Sequence, residues 1–123
     1  MLRSTSVAVL ALIAGALAGT AANAHPKLVK SDPAGNAVVA NSPKELRLSF
    51  SEDLVSKFSG VEVKNQQGQK VGIGSAAFDP ADKKQFVVPV PTPLAEGVYQ
   101  VDWHAVAADT HRIQGSYSFT VKR

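Results

Sequence analysis

An alternation of apolar and polar residues runs through most of the chain after residue 25, and this period of two constrains the fold more than any other feature. Between Leu46 and Phe50 every second side chain is apolar, and the pattern recurs at residues 61–63, 86–90, 99–105 and 117–121. Successive side chains of a β-strand point to opposite faces, so each segment is predicted to be a half-buried strand. Turn sequences such as Asp32-Pro33-Ala34-Gly35-Asn36 separate these segments.

About seven short strands at intervals of roughly ten residues, without a helical period, predict an all-β domain. The expected architecture is a seven-stranded antiparallel Greek-key sandwich or barrel of immunoglobulin-like (cupredoxin-like) type. A helical turn is expected only within residues 51–58, and Pro89 and Pro91 are expected at an edge or at the end of a strand. The chain of 123 residues has no cysteine, so one hydrophobic core must stabilise it without disulfides.

The first 24 residues have the pattern of a secretory signal peptide. A single basic residue, Arg3, precedes an uncharged apolar run at residues 7–18, and Ala22-Asn23-Ala24 follows as a small-x-small cleavage site. The run is short for a membrane span. We therefore predict a signal peptide at residues 1–24 and one exported domain at residues 25–123.

Charge and motifs exclude several function classes. The expected net charge of the processed chain is about +2, and its lysines are scattered, so nucleic acid is not an expected partner. No Ser/His/Asp catalytic spacing and no phosphate-binding glycine loop is present. The groups with useful chemistry are three histidines and a few carboxylates.

The triplet Asp109-Thr110-His111 lies between two alternating runs, residues 98–106 and 113–121, and is predicted to connect two strands at the rim of a sheet. If the triplet is extended, Asp109 and His111 project the same way and can hold one metal ion together. The alternative is that Asp109 only forms a turn and His111 is a surface residue.

Cleavage after Ala24 would make His25 the first residue and give it a free α-amine. The amine nitrogen and the imidazole Nδ1 of such a histidine can chelate one ion. Pro26 has no backbone N–H, so copper(II) cannot displace a proton there and bind further into the backbone. The alternative is a frayed terminus without function.

Together, His25, Asp109 and His111 supply an amine, two imidazoles and a carboxylate, a donor set that suits a tetragonal copper(II) centre. Zinc is a weaker candidate because it usually prefers tetrahedral sites. Glu52, after the strand that ends at Phe50, is a further candidate, as an axial ligand or as a hydrogen-bond partner of the amine; otherwise it is a solvated carboxylate. His104 is predicted to lie mid-strand on a solvated face, outside the site.

Several segments resemble the CopC family of periplasmic copper-resistance proteins across essentially the whole predicted mature chain. They are His25-Pro26-Lys27-Leu28-Val29, Leu48-Ser49-Phe50-Ser51-Glu52, Phe58-Ser59-Gly60, Leu94-x-x-Gly97-x-Tyr99-x-Val101-x-Trp103 and Asp109-Thr110-His111-x-x-x-Gly115. The resemblance implies a seven-stranded Greek-key β-domain in the periplasm and a copper(II) site. His25, Asp109 and His111 match ligand positions of the family, and Glu52 matches a carboxylate found in some members.

The resemblance also implies a role as copper carrier or buffer, as a monomer, alongside an inner-membrane copper transporter of the CopD type. Some relatives have a second, methionine-rich copper(I) site, but residues 61–78 contain no methionine and the only one in the chain is Met1. Soft copper(I) prefers thioether and thiolate ligands. The sequence therefore predicts a copper(II)-only protein.

Two other classes of function remain as alternatives. A copper mono-oxygenase could use the same histidine brace, but oxygen activation needs an open coordination position, which Asp109 would fill. An immunoglobulin-like interaction module without metal would need four potential ligands to meet by accident, although the fold permits it. We therefore expect a protein that is not an enzyme.

Overall fold

The computed structural model describes residues 26–108 and 110–123, which form eight β-strands and one short 3-10 helix, Ser56–Phe58. The strands are β1 (Leu28–Asp32), β2 (Val38–Val39), β3 (Glu45–Phe50), β4 (Gly60–Lys64), β5 (Ala77–Asp79), β6 (Asp82–Pro89), β7 (Gly97–Val106) and β8 (Arg112–Val121). The all-β class and the helical turn are confirmed. The expected count of seven strands is too low, because β2 and β5 have only two and three residues and are too short to show an alternation.

The strands form two four-stranded sheets, ordered β1-β3-β6-β5 and β2-β8-β7-β4. From β1 to β5 the chain changes sheet at every step, as in Greek-key sandwiches. The pairing of β2 with β8 is parallel, whereas the other described pairs are antiparallel. β6 lies between β3 and β5, so Pro89 marks the end of an interior strand, where its missing N–H breaks no ladder.

The core lies between the inward faces of the two sheets, and the alternation predicted from the sequence identifies these faces. On the inward face of β3 the buried residues are Leu46, Leu48 and Phe50, and on the alternating inward face of β7 they are Tyr99, Val101, Trp103 and Ala105. Phe50 meets Phe86 of its own sheet and Trp103 of the opposite sheet edge-on, at ring-centroid distances of 5.5 and 5.1 Å. Such aromatic pairs contribute about 0.5–1.5 kcal/mol beyond their buried area, so Phe50 helps to join the sheets.

Three predictions concern residues outside this description: the signal peptide at residues 1–24 and the ligand roles of His25 and Asp109. Within residues 26–108 and 110–123, no helix is long and apolar enough to cross a membrane.

Candidate metal centre

Four segments meet at one end of the sandwich, which we call the site end: residues 26–27, 51–55, 106–107 and 110–111. They adjoin or contain all four residues predicted to bind metal. The backbone hydrogen bonds between these segments show how the fold brings them together.

The first contact joins the start of β1 to the end of β3. The two strands pair with Leu28 opposite Phe50. One residue further out, the backbone N–H of Ser51 donates to the carbonyl of Lys27 (2.9 Å), and the N–H of Lys27 donates to the Ser51 hydroxyl oxygen (2.9 Å). Pro26 is fully buried. The chain is thus held close to the predicted ligand residue 25 and next to Glu52.

The second contact carries the chain from the first sheet to the second. The N–H of Leu54 donates to the carbonyl of Lys83 (3.1 Å) in β6, and the N–H of Val55 donates to the carbonyl of Val106 (2.8 Å) in β7. Leu54 also forms an isolated bridge with Ala107. The segment that contains Glu52 therefore lies against the strand that leads to Asp109 and His111.

The turn between β7 and β8 begins at Ala107, whose carbonyl accepts a hydrogen bond from the N–H of Thr110 (2.9 Å). The predicted strand-to-strand connection is confirmed, because β7 ends at Val106 and β8 begins at Arg112. The expectation of an extended triplet is wrong at Thr110, which has φ of 68°. A left-handed residue ends the alternation of side chains, so the turn and not a strand sets the direction of His111.

Of the four predicted ligands, the structure describes two. Glu52 is half-buried, immediately after Ser51, and His111 is exposed at the entry to β8. Both lie in segments of the site end. Residues 26–108 and 110–123 contain no cluster of three or more His, Asp or Glu side chains able to hold a metal, so the complete ligand set stays a prediction.

His104 is neither fully buried nor fully exposed. It lies on the outward face of β7, as predicted, but is half-buried, with its ring against the backbone of Gly60: a Cβ added to Gly60 would lie 2.9 Å from Cε1 of His104. Burial, and secondarily the charge of Arg112, lowers the pKa of His104. His104 and Thr110 both line an open groove of about 480 Å³ with Val55, Phe58, Val106 and Arg112.

The carboxylates further along this outward face are engaged with other side chains. Lys64 Nζ lies 3.5 Å from Asp102 and 3.8 Å from Glu62. A hydrogen bond from Gln100 (2.8 Å) is the main cause that lowers the pKa of Asp102, helped by Ser116 and Lys64. These partly exposed ion pairs add little stability. They nevertheless give Asp102 and Glu62 partners among the protein's own side chains, so neither carboxylate needs a metal ion.

Comparison with known proteins identifies the family. The family model for the CopC domain matches residues 28–122. The chain belongs to the CopC family. Copper resistance protein C of Pseudomonas syringae pv. tomato is 39% identical over 127 residues, covering 99% of each chain. The family resemblance predicted from the sequence is therefore confirmed.

Two further CopC relatives are informative. The crystal structure of PcoC, a methionine-rich copper resistance protein from Escherichia coli, has a TM-score of 0.71 and 41% identity, covering 80% of this chain and 99% of that one. This likeness confirms the β-sandwich. A more distant relative, copper transport protein CutJ of Bacillus subtilis, is 28% identical over 98 residues; the match covers 80% of this chain but 18% of CutJ. A CopC-like region is thus one part of a longer transport protein.

The structure also gives physical roles to residues of the CopC-like motifs that sequence reasoning did not explain. The Ser59 hydroxyl accepts from the N–H of Val106 (3.0 Å) and donates to the carbonyl of Val55 (2.9 Å), so it fastens residues 55–59 to β7. The Tyr99 hydroxyl donates to the carbonyl of Ala95 (2.7 Å), a tyrosine corner of the kind found in β-sandwiches. The bond between Ser59 and Val106 joins residues 47 positions apart in sequence, so no local pattern reveals it, whereas the bond between Tyr99 and Ala95 spans only four residues.

Proposed function

We propose that this chain is a periplasmic copper(II)-binding protein that carries or buffers the ion in copper resistance or homeostasis. The proposed ligands are the α-amine and Nδ1 of His25 after signal cleavage, the imidazole of His111 and the carboxylate of Asp109. Glu52 serves as an axial ligand or as a hydrogen-bond acceptor for the amine.

The observation that supports this proposal best is the convergence of the site end. Lys27 is hydrogen-bonded to Ser51, and Val55 is hydrogen-bonded to Val106, so segments separated by more than twenty residues are brought together at the site end. Residues 26–27 adjoin His25, residues 51–55 contain Glu52, and residues 110–111 contain His111 and adjoin Asp109. A nitrogen- and oxygen-donor set of this kind favours copper(II) in a tetragonal site.

The oxidation state follows from the absence of sulfur. The sequence has no cysteine, and its only methionine is Met1 in the proposed signal peptide. Copper(I) is held best by thiolate and thioether ligands. PcoC is described as methionine-rich, and this chain differs in that respect. We propose that reduction of the bound ion releases it.

Release by reduction fits delivery to another protein. CutJ, a copper transport protein, contains a region similar to this chain within a much longer sequence. We propose that the present chain, as a monomer, supplies copper to a separate inner-membrane transporter of the CopD type. We propose no enzymatic role, because Asp109 would occupy the coordination position that an oxygen-activating copper enzyme leaves open.

A copper(II) titration of two forms of the protein tests the proposal. One form begins at His25 with a free α-amine, and the other carries an acetyl group on that amine. We expect the form with the free amine to bind one copper(II) several orders of magnitude more tightly, because acetylation converts the chelating amine into an amide. Equal affinities would exclude the amino-terminal chelate, and no binding by either form would exclude the proposed function.

A further inference from the structure

We infer that Ser51 is a positioning residue for the amino-terminal chelate: its hydroxyl holds the chain at Lys27 so that the amine and imidazole of residue 25 meet the other ligands. This inference rests on the proposed function and deepens it, because it names a residue that sets the geometry of the proposed amino-terminal ligand.

Ser51 makes two reciprocal hydrogen bonds with one residue. Its N–H donates to the carbonyl of Lys27 at 2.9 Å, and its side-chain oxygen accepts from the N–H of Lys27 at 2.9 Å. The first bond continues the pairing of β1 with β3, and any residue could make it. The second bond needs a hydroxyl at position 51. Among the described residues, it is the hydrogen bond nearest in sequence to the proposed ligand, residue 25.

Only Pro26 separates this bond from residue 25. Its ring fixes φ near −65°, and it is fully buried, so it can transmit the position of Lys27 to the residue before it with little freedom. A chelate gains affinity when its donors are held in place before the ion arrives, because less conformational entropy is lost on binding. Without the hydroxyl bond, the segment before Leu28 keeps only one of its two hydrogen bonds to Ser51.

A purely structural role is the competing explanation, and two features weigh against it. The bond from Lys27 to Ser51 is solvent-exposed, so water can replace it and its loss costs the fold little. The large core residues nearby, Phe50 and Leu54, are buried by packing that does not involve the Ser51 hydroxyl. The hydroxyl therefore affects local order at the terminus more than global stability.

The test compares Ser51→Ala with Ser49→Ala in protein beginning at His25. Ser49 is a matched control, because it lies in the same strand and its hydroxyl accepts a bond from Gln85 (2.9 Å), away from the terminus. Removing a group that orients a metal ligand typically lowers metal affinity about 10–100-fold. We expect a loss of about tenfold or more for Ser51→Ala, recovery in Ser51→Thr, which keeps the hydroxyl, and a change below about twofold for Ser49→Ala.

A double-mutant cycle separates positioning from general structural damage. In protein acetylated at the α-amine of His25, the chelate is already broken, so Ser51→Ala should cause no further loss of affinity. The copper(II) electron paramagnetic resonance spectrum should also change in Ser51→Ala only when the α-amine is free. The same loss in both forms would overturn the inference, as would an unchanged affinity in the processed form.

The cycle also distinguishes this inference from the proposed function. If the unsubstituted processed protein binds copper(II) tightly but Ser51→Ala binds equally well, the positioning role alone is wrong. If the unsubstituted processed protein and its acetylated form bind alike, the amino-terminal chelate is wrong and the positioning role falls with it.

Discussion

His104 and His111 lie near the two ends of the same β7–β8 connection, yet their surroundings differ. His111 is exposed at the turn, in the segment predicted to hold metal. His104 packs against Gly60, and burial lowers its pKa. Alternation along β7 was sufficient to place His104 on the outward face. Its partial burial was not predictable, because it depends on residues 55–59 lying across β7 through the Ser59 hydroxyl.

The two histidines form a matched pair for mutagenesis. Loss of a direct ligand should cost at least as much as loss of an orienting group, so His111→Ala should weaken copper(II) binding by about a hundredfold or more. His104→Ala should change it by less than about twofold. Both affinities can be measured by competition with a chelator of known affinity. A large loss in His104→Ala would mean that the groove shared by His104 and Thr110 contains a ligand.

At the scale of elements, the sequence predicted the long strands well and the connections between them less well. Alternation over ten residues identifies β7 and β8, because a shift of one residue would expose a whole apolar face. The crossing at Leu54 and Val55 has no such pattern. It is defined by two backbone N–H groups that donate hydrogen bonds to carbonyl oxygens of different sheets. Thr110 likewise gives no sequence signal for its left-handed conformation.

The β7–β8 pair has a close contact that tests this register. Gly115 lies opposite Trp103, and a Cβ at Gly115 would lie 2.5 Å from Cζ2 of the buried indole. The ring cannot move freely within the core, so Gly115→Ala should lower the free energy of unfolding by about 1–3 kcal/mol. Gly72→Ala is the control, because no atom lies within 4 Å of its Cβ position.

Urea denaturation followed by the fluorescence of Trp103, the only tryptophan, gives both free energies. Gly72→Ala should leave stability nearly unchanged. Equal effects of the two substitutions would contradict the packing of Trp103 against β8.

For the whole molecule, pH links folding and metal binding. Because the pKa of His104 is lowered in the folded state, the unfolded chain takes up this proton first as the pH falls below about 6.5, so the free protein loses some stability. The pKa of Asp102 is also lowered. Its contribution is complete above the ordinary carboxyl pKa of about 3.9 and is lost only below it, as the pH falls through the folded-state pKa. Of these two contributions, therefore, only that of His104 is expected to vary between pH 7 and 5.

The copper-induced rise in melting temperature should fall over this same interval. An α-amine titrates near about 7.7–8.0 and an imidazole near about 6.5, and each nitrogen must lose its proton to bind the ion. Apparent affinity should therefore drop steeply from about pH 7 to 5, with a limiting slope approaching three protons per ion, and the stabilisation RT ln(1 + [L]/Kd) should shrink with it.

Thermal melts with and without copper(II) at stepped pH measure the copper-induced shift, and the metal-free melts correct for the effect of His104 on stability. Protein acetylated at the α-amine of His25 should approach a slope of two protons, because only the two imidazoles then compete with protons for the ion. A copper-induced shift that stays constant down to pH 5 would rule out a site built from His25, its amine and His111.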